Sequence, residues 1–523
     1  MPPLEHERPK GLDTYQSIHS TNMSDSPLIH LPNVLPKIGE PLISRDVNGK
    51  KITFILIESE EEKEYSTESF VEKYPFKNKV FREIRIEGLA ELSDLPQDEN
   101  MLWYFPEIGM GVAYHDESDI SLNKGLYNGI EMYFERDISS VHNEDEDGMT
   151  NLLKDIEPNP IIPKDTQKLF NLESNNQNHY RDAASDPLDR SDVDENFMRS
   201  DTSNNGSTQF DYGQINLKYP EDKNDNTIID TENINWGIDR INARKTTYTG
   251  DDINIGILDT GIDEFHPDFT DTNVRKFSLF KNEPASDNHG HGTHCASIAA
   301  GKNGVATQAN LIVGKVLNDN GEGKELDFIL GIFSCLMKGA HVISFSIKLK
   351  NGPGGLSRDP FDKIIKIAAV KYNCPVVCAA GNDSSRIGNY NAICSPADSQ
   401  YALAIGAIDN NDSIYLKSNR ASTRLLQQMN YAAPGVDISA AKPLNVGNPK
   451  KLYQKMSGTS MAAPFITGSI ALIIEKRLKT FKHYRAQALS FRGIIGDLNQ
   501  HLYKNDKWNA LDYGNGIPNL LNL

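Results

Sequence analysis

Lys455-Met456-Ser457-Gly458-Thr459-Ser460-Met461-Ala462-Ala463-Pro464 opens an apolar run over 465–474 that reads as a helix, and a polar loop with glycine and proline precedes it. A serine there has its hydroxyl at a helix N-terminus, where unpaired backbone N–H groups and the positive end of the dipole favour developing negative charge. Gly458, Ala462 and Ala463 are small enough to let another backbone approach. A serine in that position is more often a cap than a nucleophile, so a catalytic reading needs partners elsewhere in the chain.

Upstream of this helix, from Ile234 onward, short apolar strands alternate with helical stretches. Strands are expected over 253–258, 311–316, 342–346, 375–379 and 402–407, and helices over 292–300, 325–338, 360–372 and 460–477. That alternation predicts an α/β architecture, a mainly parallel sheet covered on both faces. Sites in such sheets lie at the carboxyl ends of strands.

Asp259 stands at such an end, in Ile257-Leu258-Asp259-Thr260-Gly261. A carboxylate directly after apolar residues is expensive to bury unless something hydrogen-bonds it. Further on, Asp287-Asn288-His289-Gly290-His291-Gly292-Thr293-His294-Cys295-Ala296 leads into an alanine-rich helix. Three histidines so close invite a metal reading, but that needs a carboxylate or cysteine at helical spacing with them. None is assigned, and no metal is expected. The alternative is that one histidine is a general base held by Asp259 and facing Ser460.

These blocks resemble the three signatures of the subtilisin-like serine proteases: Asp-Thr-Gly-Ile at 259–262, His-Gly-Thr-His at 291–294 and Gly-Thr-Ser-Met-Ala-Ala-Pro at 458–464. The order Asp, His, Ser is also that family's order. Similarity continues through His266-Pro267-Asp268, Ala379-Ala380-Gly381-Asn382, Ala433-Pro434-Gly435-Val436 and Tyr513-Gly514-Asn515-Gly516, and covers about 234–523. The resemblance implies a subtilisin-like three-layer fold and a serine endopeptidase acting on protein or peptide substrates. By position it implies that Asp259 orients His291, that His291 takes the proton of Ser460, and that Asn382 donates to the oxyanion. His294 then reads as structural. Gly321, Gly323, Ser346, Ile347, Lys348, Ala379 and Gly381 match family segments that flank a bound peptide.

Two departures stand out. Lys348 replaces a glycine at the wall of the family's primary specificity pocket, which leads us to expect a preference for an acidic or polar residue before the cut unless Lys348 turns to solvent. Between Ala300 and Gly304 only Gly301-Lys302-Asn303 remain where the family's strong calcium loop is longer. No cofactor is expected, and calcium is not carried over.

The 523 residues have room for two or three domains. A formal charge of −18 argues against nucleic acid or an anionic membrane as the main partner. There is no run of 18 apolar residues to span a membrane. The N-terminal residues lack the apolar core of a secretory signal, so a cytoplasmic location is expected. The five cysteines, Cys295, Cys335, Cys374, Cys378 and Cys394, are read as reduced thiols.

The first part of the chain divides by composition. Residues 1–46 read as a loosely ordered lead-in, and 47–136 as a small α+β domain with strands near 51–57, 80–86, 101–105, 109–114 and 130–134 and a short helix over 66–74. Residues 137–230 are rich in Asp, Asn, Glu and Ser and read as an acidic, accessible linker, with the catalytic domain over 231–523. The family commonly carries an N-terminal prodomain that assists folding and then inhibits. The 47–136 block has a compatible size and texture, so the chain's own N-terminal domain is expected to be its inhibitor. Maturation would then cut within about 137–230.

Overall fold

The structure is a computed structural model and describes residues 46–57, 80–83, 98–105, 110–115, 130–134, 137–140, 235–281, 283–349, 360–386, 389–448 and 451–523. The helix expected over 66–74, and all but the first residues of the expected linker, lie outside these. The described residues gather into one compact unit.

The N-terminal part is a β-sheet. Strands β1 (Asp46–Val47), β2 (Lys50–Ile57), β3 (Val80–Glu83), β4 (Met101–Phe105) and β5 (Met110–His115) run in the order β1-β2-β5-β4-β3, and β6 (Ile130–Phe134) pairs with β2. Phe54, Trp103, Phe105 and Val112 are fully buried on it. Three residues after β6 ends, β7 (Asp137–Ser140) begins, and it pairs outside this sheet.

The C-terminal part is organised on a seven-stranded parallel sheet. Its strands are β8 (Asn254–Asp259), β9 (Val274–Ser278), β10 (Asn310–Lys315), β12 (Val342–Phe345), β14 (Val376–Ala379), β15 (Ala402–Ile408) and β16 (Tyr431–Pro434), in the order β16-β15-β14-β12-β8-β10-β9. Alternate side chains of one strand enter different cores, as the period of two requires. Ile255, Ile257, Val313, Val342 and Val377 pack with helices α1 (His291–Ala300) and α4 (Thr459–Thr480). Leu258, Ile312, Ile343, Val376 and Cys378 pack with α2 (Glu325–Met337) and α3 (Pro360–Lys366). With both faces covered, the strands read as unbroken apolar runs, and that is why they were legible. The second core also takes in Phe54, Trp103, Phe105 and Ile138, so the N-terminal sheet shares apolar surface with the α2 and α3 side.

Two short strands, β11 (Glu322–Lys324) and β13 (Ile347–Leu349), stand outside the large sheet. They belong to a separate three-stranded sheet in which β7 lies between them. Asp137–Ser140 was grouped with the linker on composition. It forms the central strand of that sheet instead.

Candidate active site

The parallel arrangement brings the carboxyl end of β8 to the start of α1. Asp259, the last residue of β8, is buried, and its backbone carbonyl accepts from the N–H groups of Val316 and Leu317 just past β10. Its Oδ1 accepts from Thr260 N–H at 2.8 Å and lies 2.7 Å from His291 Nδ1. One oxygen of the buried carboxylate is thus bonded twice, while Oδ2 has no hydrogen-bond partner among the described residues.

His291 opens α1 and is fully buried. Asp287 fixes that helix start. Its Oδ1 accepts from Thr260 Oγ1 and from the N–H groups of His289 and Gly290, and its Oδ2 accepts from the N–H and hydroxyl of Thr293. Thr260 Oγ1 in turn accepts from Gly292 N–H at 2.9 Å, which ties the helix start back to the end of β8. Burial works against a charged imidazole at His291, but the Asp259 carboxylate outweighs it and holds the pKa well above the ordinary value. At His294 burial wins, and the pKa falls to about 3. Its Nε2 bonds the carbonyls of Ile438 at 3.0 Å and Gln454 at 3.1 Å, on strands β17 (Ile438–Ala441) and β18 (Tyr453–Met456). His294 is a structural tie.

Ser460 is the second residue of α4, fully buried, and its Oγ has no hydrogen-bond partner among the described residues. Pro464 lies four residues on, inside the helix. A proline has no N–H, so the Ser460 carbonyl loses its helical donor. Ser346 Oγ donates to that carbonyl at 3.1 Å, and the Cys295 thiol reaches it at 3.5 Å. Cys295 also lies 4.0 Å from His291 Nδ1, one helical turn on, so the histidine block does carry a cysteine at helical spacing, contrary to the sequence reading. Asp259, His291 and Cys295 form a buried cluster of metal-capable atoms. However, His291 Nδ1 already bonds Asp259, and burial pushes the Cys295 thiol up, away from the thiolate that a metal needs.

Asn382 follows β14 and is buried. Its Oδ1 accepts from Thr459 N–H at 2.9 Å and Thr459 Oγ1 at 3.0 Å, which turns its Nδ2 across Gly458. A Cβ on Gly458 would come within 2.7 Å of that Nδ2, and φ there is +155°, so glycine is required near Ser460. Gly381 N–H donates to Thr459 Oγ1 at 3.1 Å, linking the end of β14 to the start of α4.

The expected substrate-binding residues separate. Gly321 and Gly323 lie on the β11 side of β7, Ile347 and Lys348 on the β13 side, and Ser346 leads from there to Ser460. A Cβ on Gly321, where φ is +71°, would sit 2.9 Å from Ser140 Oγ and 3.1 Å from His289 Nε2. Ala379 instead packs in the core with α4. Lys348 Nζ forms an ion pair with Asp383 Oδ1, and Asn419 Nδ2 holds the other carboxylate oxygen at 3.1 Å. Its charge is matched within the protein, which removes the electrostatic argument for an acidic residue directly before the cut. Where the calcium loop is short, Asp268 accepts from Ser297 Oγ at 2.5 Å and Tyr453 OH at 3.3 Å. Among the described residues no helix is long and apolar enough to cross a membrane.

Comparison with known proteins agrees with this geometry. Residues 250–513 match the model of the subtilase family. Subtilisin DY of Bacillus licheniformis is 34% identical over 257 residues, which cover 47% of this chain and 86% of the relative. Subtilisin-like protease 2 of Pseudogymnoascus destructans is 32% identical over 251 residues, covering 46% of the chain and 58% of that protein. The major intracellular serine protease of Bacillus subtilis is 31% identical over 283 residues, covering 51% and 83%. A buried Asp–His pair beside a serine at a helix start, on a seven-stranded parallel sheet, is matched by the similarity over half of the sequence: the chain belongs to the subtilase family and is a serine endopeptidase.

Proposed function

We propose that the protein is a self-inhibited zymogen whose Asp259–His291–Ser460 triad first hydrolyses a peptide bond of its own chain. The observation that carries this reading is the position of β7. It pairs antiparallel with β11 through Asp137–Lys324, Ile138–Gly323 and Ser139–Glu322, and with β13 through Ile138–Leu349, Ser139–Lys348 and Ser140–Ile347. Ser140 N–H also donates to the Gly321 carbonyl at 2.9 Å. Strand addition between two edges is how an extended peptide is gripped by main-chain hydrogen bonds.

The register supports a choice of bond. Ser140, the last residue of β7, is opposite Ile347, and the residue before Ile347 is Ser346, whose hydroxyl holds the carbonyl of Ser460. We therefore assign Val141–His142 as the bond cut, at the start of the segment expected from composition. In the reaction, His291 takes the Ser460 proton as Oγ attacks the Val141 carbonyl. Asp259 holds the imidazole through Nδ1 and balances the imidazolium. Asn382 Nδ2 and the Ser460 N–H stabilise the oxyanion. His291 returns the proton to the departing amine, and water then releases the acyl group by the same route. Five free cysteines, four of them buried, and the likeness to a relative described as intracellular support a reducing, cytoplasmic setting.

The test is to express wild type and Ser460→Ala and compare intact mass and N-terminal sequence. Wild type is expected to yield a chain beginning at His142, while the variant stays whole. Two full-length chains, with no cleavage of added casein by the wild type, would overturn the reading.

A further inference from the structure

We propose that Lys324 is a specificity residue that selects substrates carrying an acidic side chain five residues before the cut. This rests on reading β7 as bound in the manner of substrate. Asp137 lies directly opposite Lys324 in the β7–β11 register, and its carboxylate pairs with Lys324 Nζ. Among the described residues Asp137 is the ionic partner of Lys324, so the cation faces the groove's occupant rather than the enzyme's own acids.

The next residue is an anchor. Ile138 is completely buried, in an apolar cluster that includes Leu317, Leu326, Ile347 and Leu349. Gly323 lies beside it: an added Cβ there would clash with the Val316 carbonyl oxygen at 2.3 Å, press on Leu317 Cδ2 at 3.2 Å and meet Ile138 Cδ1 at 3.4 Å, an ordinary contact. The anchor fixes the register, and the register brings the preceding side chain to Lys324.

The opposite edge of the groove supplies the contrast. Lys348 stands across from Ser139, an uncharged residue, and its ammonium is held by Asp383. One lysine is matched inside the enzyme and faces a serine, whereas among the described residues the other is matched by the occupant and faces an aspartate. Charge selection is therefore carried by Lys324. The pair is partly exposed, 37% at Lys324 and 55% at Asp137, so its effect is modest. An exposed pair of this kind corresponds to about a twofold to fivefold preference, weakened by salt.

The experiment uses internally quenched peptides with the sequence of residues 137–144, and versions in which the leading Asp is replaced by Ala or Lys. These are cleaved by the self-processed wild type and by Lys324→Glu. Wild type is expected to rank Asp above Ala above Lys in kcat/KM, with the Asp advantage shrinking in high salt. Lys324→Glu is expected to invert the order. Each ranking is taken within one enzyme, so unequal amounts of folded protein cancel. Peptides cut at the same bond in the same order by both enzymes would overturn the proposal and leave the zymogen reading intact. Cleavage of casein but at no fixed bond in these peptides would overturn the register on which both stand. Failure to cut peptides, casein and self would remove both.

Discussion

Ser346 donates a hydrogen bond from its Oγ to the backbone carbonyl of Ser460, at 3.1 Å, in the place that a helical N–H would otherwise fill. The vacancy is created by Pro464, and both residues are buried around it. In the proposed reaction the same bond would join the strand that grips the substrate to the serine that attacks it. Ser346→Ala leaves a buried carbonyl with only the Cys295 thiol, a weak donor, at 3.5 Å. Leaving such a group unsatisfied costs about 1–3 kcal/mol. Made in the Ser460→Ala background, which cannot digest itself, the variant is expected to lower the denaturant midpoint accordingly. An unchanged midpoint would show that the thiol suffices.

The pH dependence of catalysis follows from His291. The imidazole must be neutral to take the Ser460 proton, so activity falls as pH drops through its pKa. Burial lowers that pKa and Asp259 raises it by more, so the acid limb of kcat/KM is expected to lie above 6.5. Asp259→Asn removes the raising charge. The limb should then move to lower pH, along with a loss of about 10⁴ in kcat from the misoriented imidazole. A pH–rate profile on a fixed peptide measures both, and a limb that stays in place would show that Asp259 does not set it.

The parallel sheet and the positions of Asp259 and Ser460 were legible in the sequence because each stands at an end of an apolar run, Asp259 closing a strand and Ser460 opening a helix. Ile253 to Leu258 reads as a strand because it is buried on both faces, and Asp259 is conspicuous because it ends that run. β7 was not legible. Its four residues, Asp-Ile-Ser-Ser, contain one apolar side chain and continue into acidic sequence, and its pairing is through the main chain, which side chains barely encode. The Lys348–Asp383 pair joins positions 35 apart that only the fold brings together. Cys295 was visible one turn after His291, but its role depends on a carbonyl that Pro464 exposes on another helix.

His294 makes the fold sensitive to acid. Its pKa is about 6.5 in the unfolded chain and about 3 when buried between α1 and the β17–β18 hairpin. Below 6.5 the unfolded state binds a proton that the folded state refuses. Stability from this residue is therefore complete above pH 6.5 and is lost progressively down to about 3, by about 1.4 kcal/mol per pH unit. Urea unfolding of Ser460→Ala against pH should show that slope, and His294→Gln, which removes the titrating group, should flatten it. Equal slopes in the two would assign acid lability elsewhere.

Asn382 offers the most direct test of the oxyanion geometry, because its two side-chain atoms have separate tasks. Oδ1 holds the start of α4 through Thr459, and Nδ2 lies across Gly458 beside the nucleophile. Asn382→Asp keeps an oxygen for Thr459 N–H and its hydroxyl, and replaces the donor with a second acceptor. Removing one such donor typically lowers kcat by about 10²–10³, or roughly 3–4 kcal/mol of transition-state stabilisation. The loss should appear in kcat with KM nearly unchanged, because the ground-state carbonyl gains little from the donor. Titration with a fluorophosphonate counts the competent sites and separates a slow enzyme from a misfolded one. A variant with near-normal kcat per labelled site would remove Asn382 from the chemistry and leave it as a support for α4.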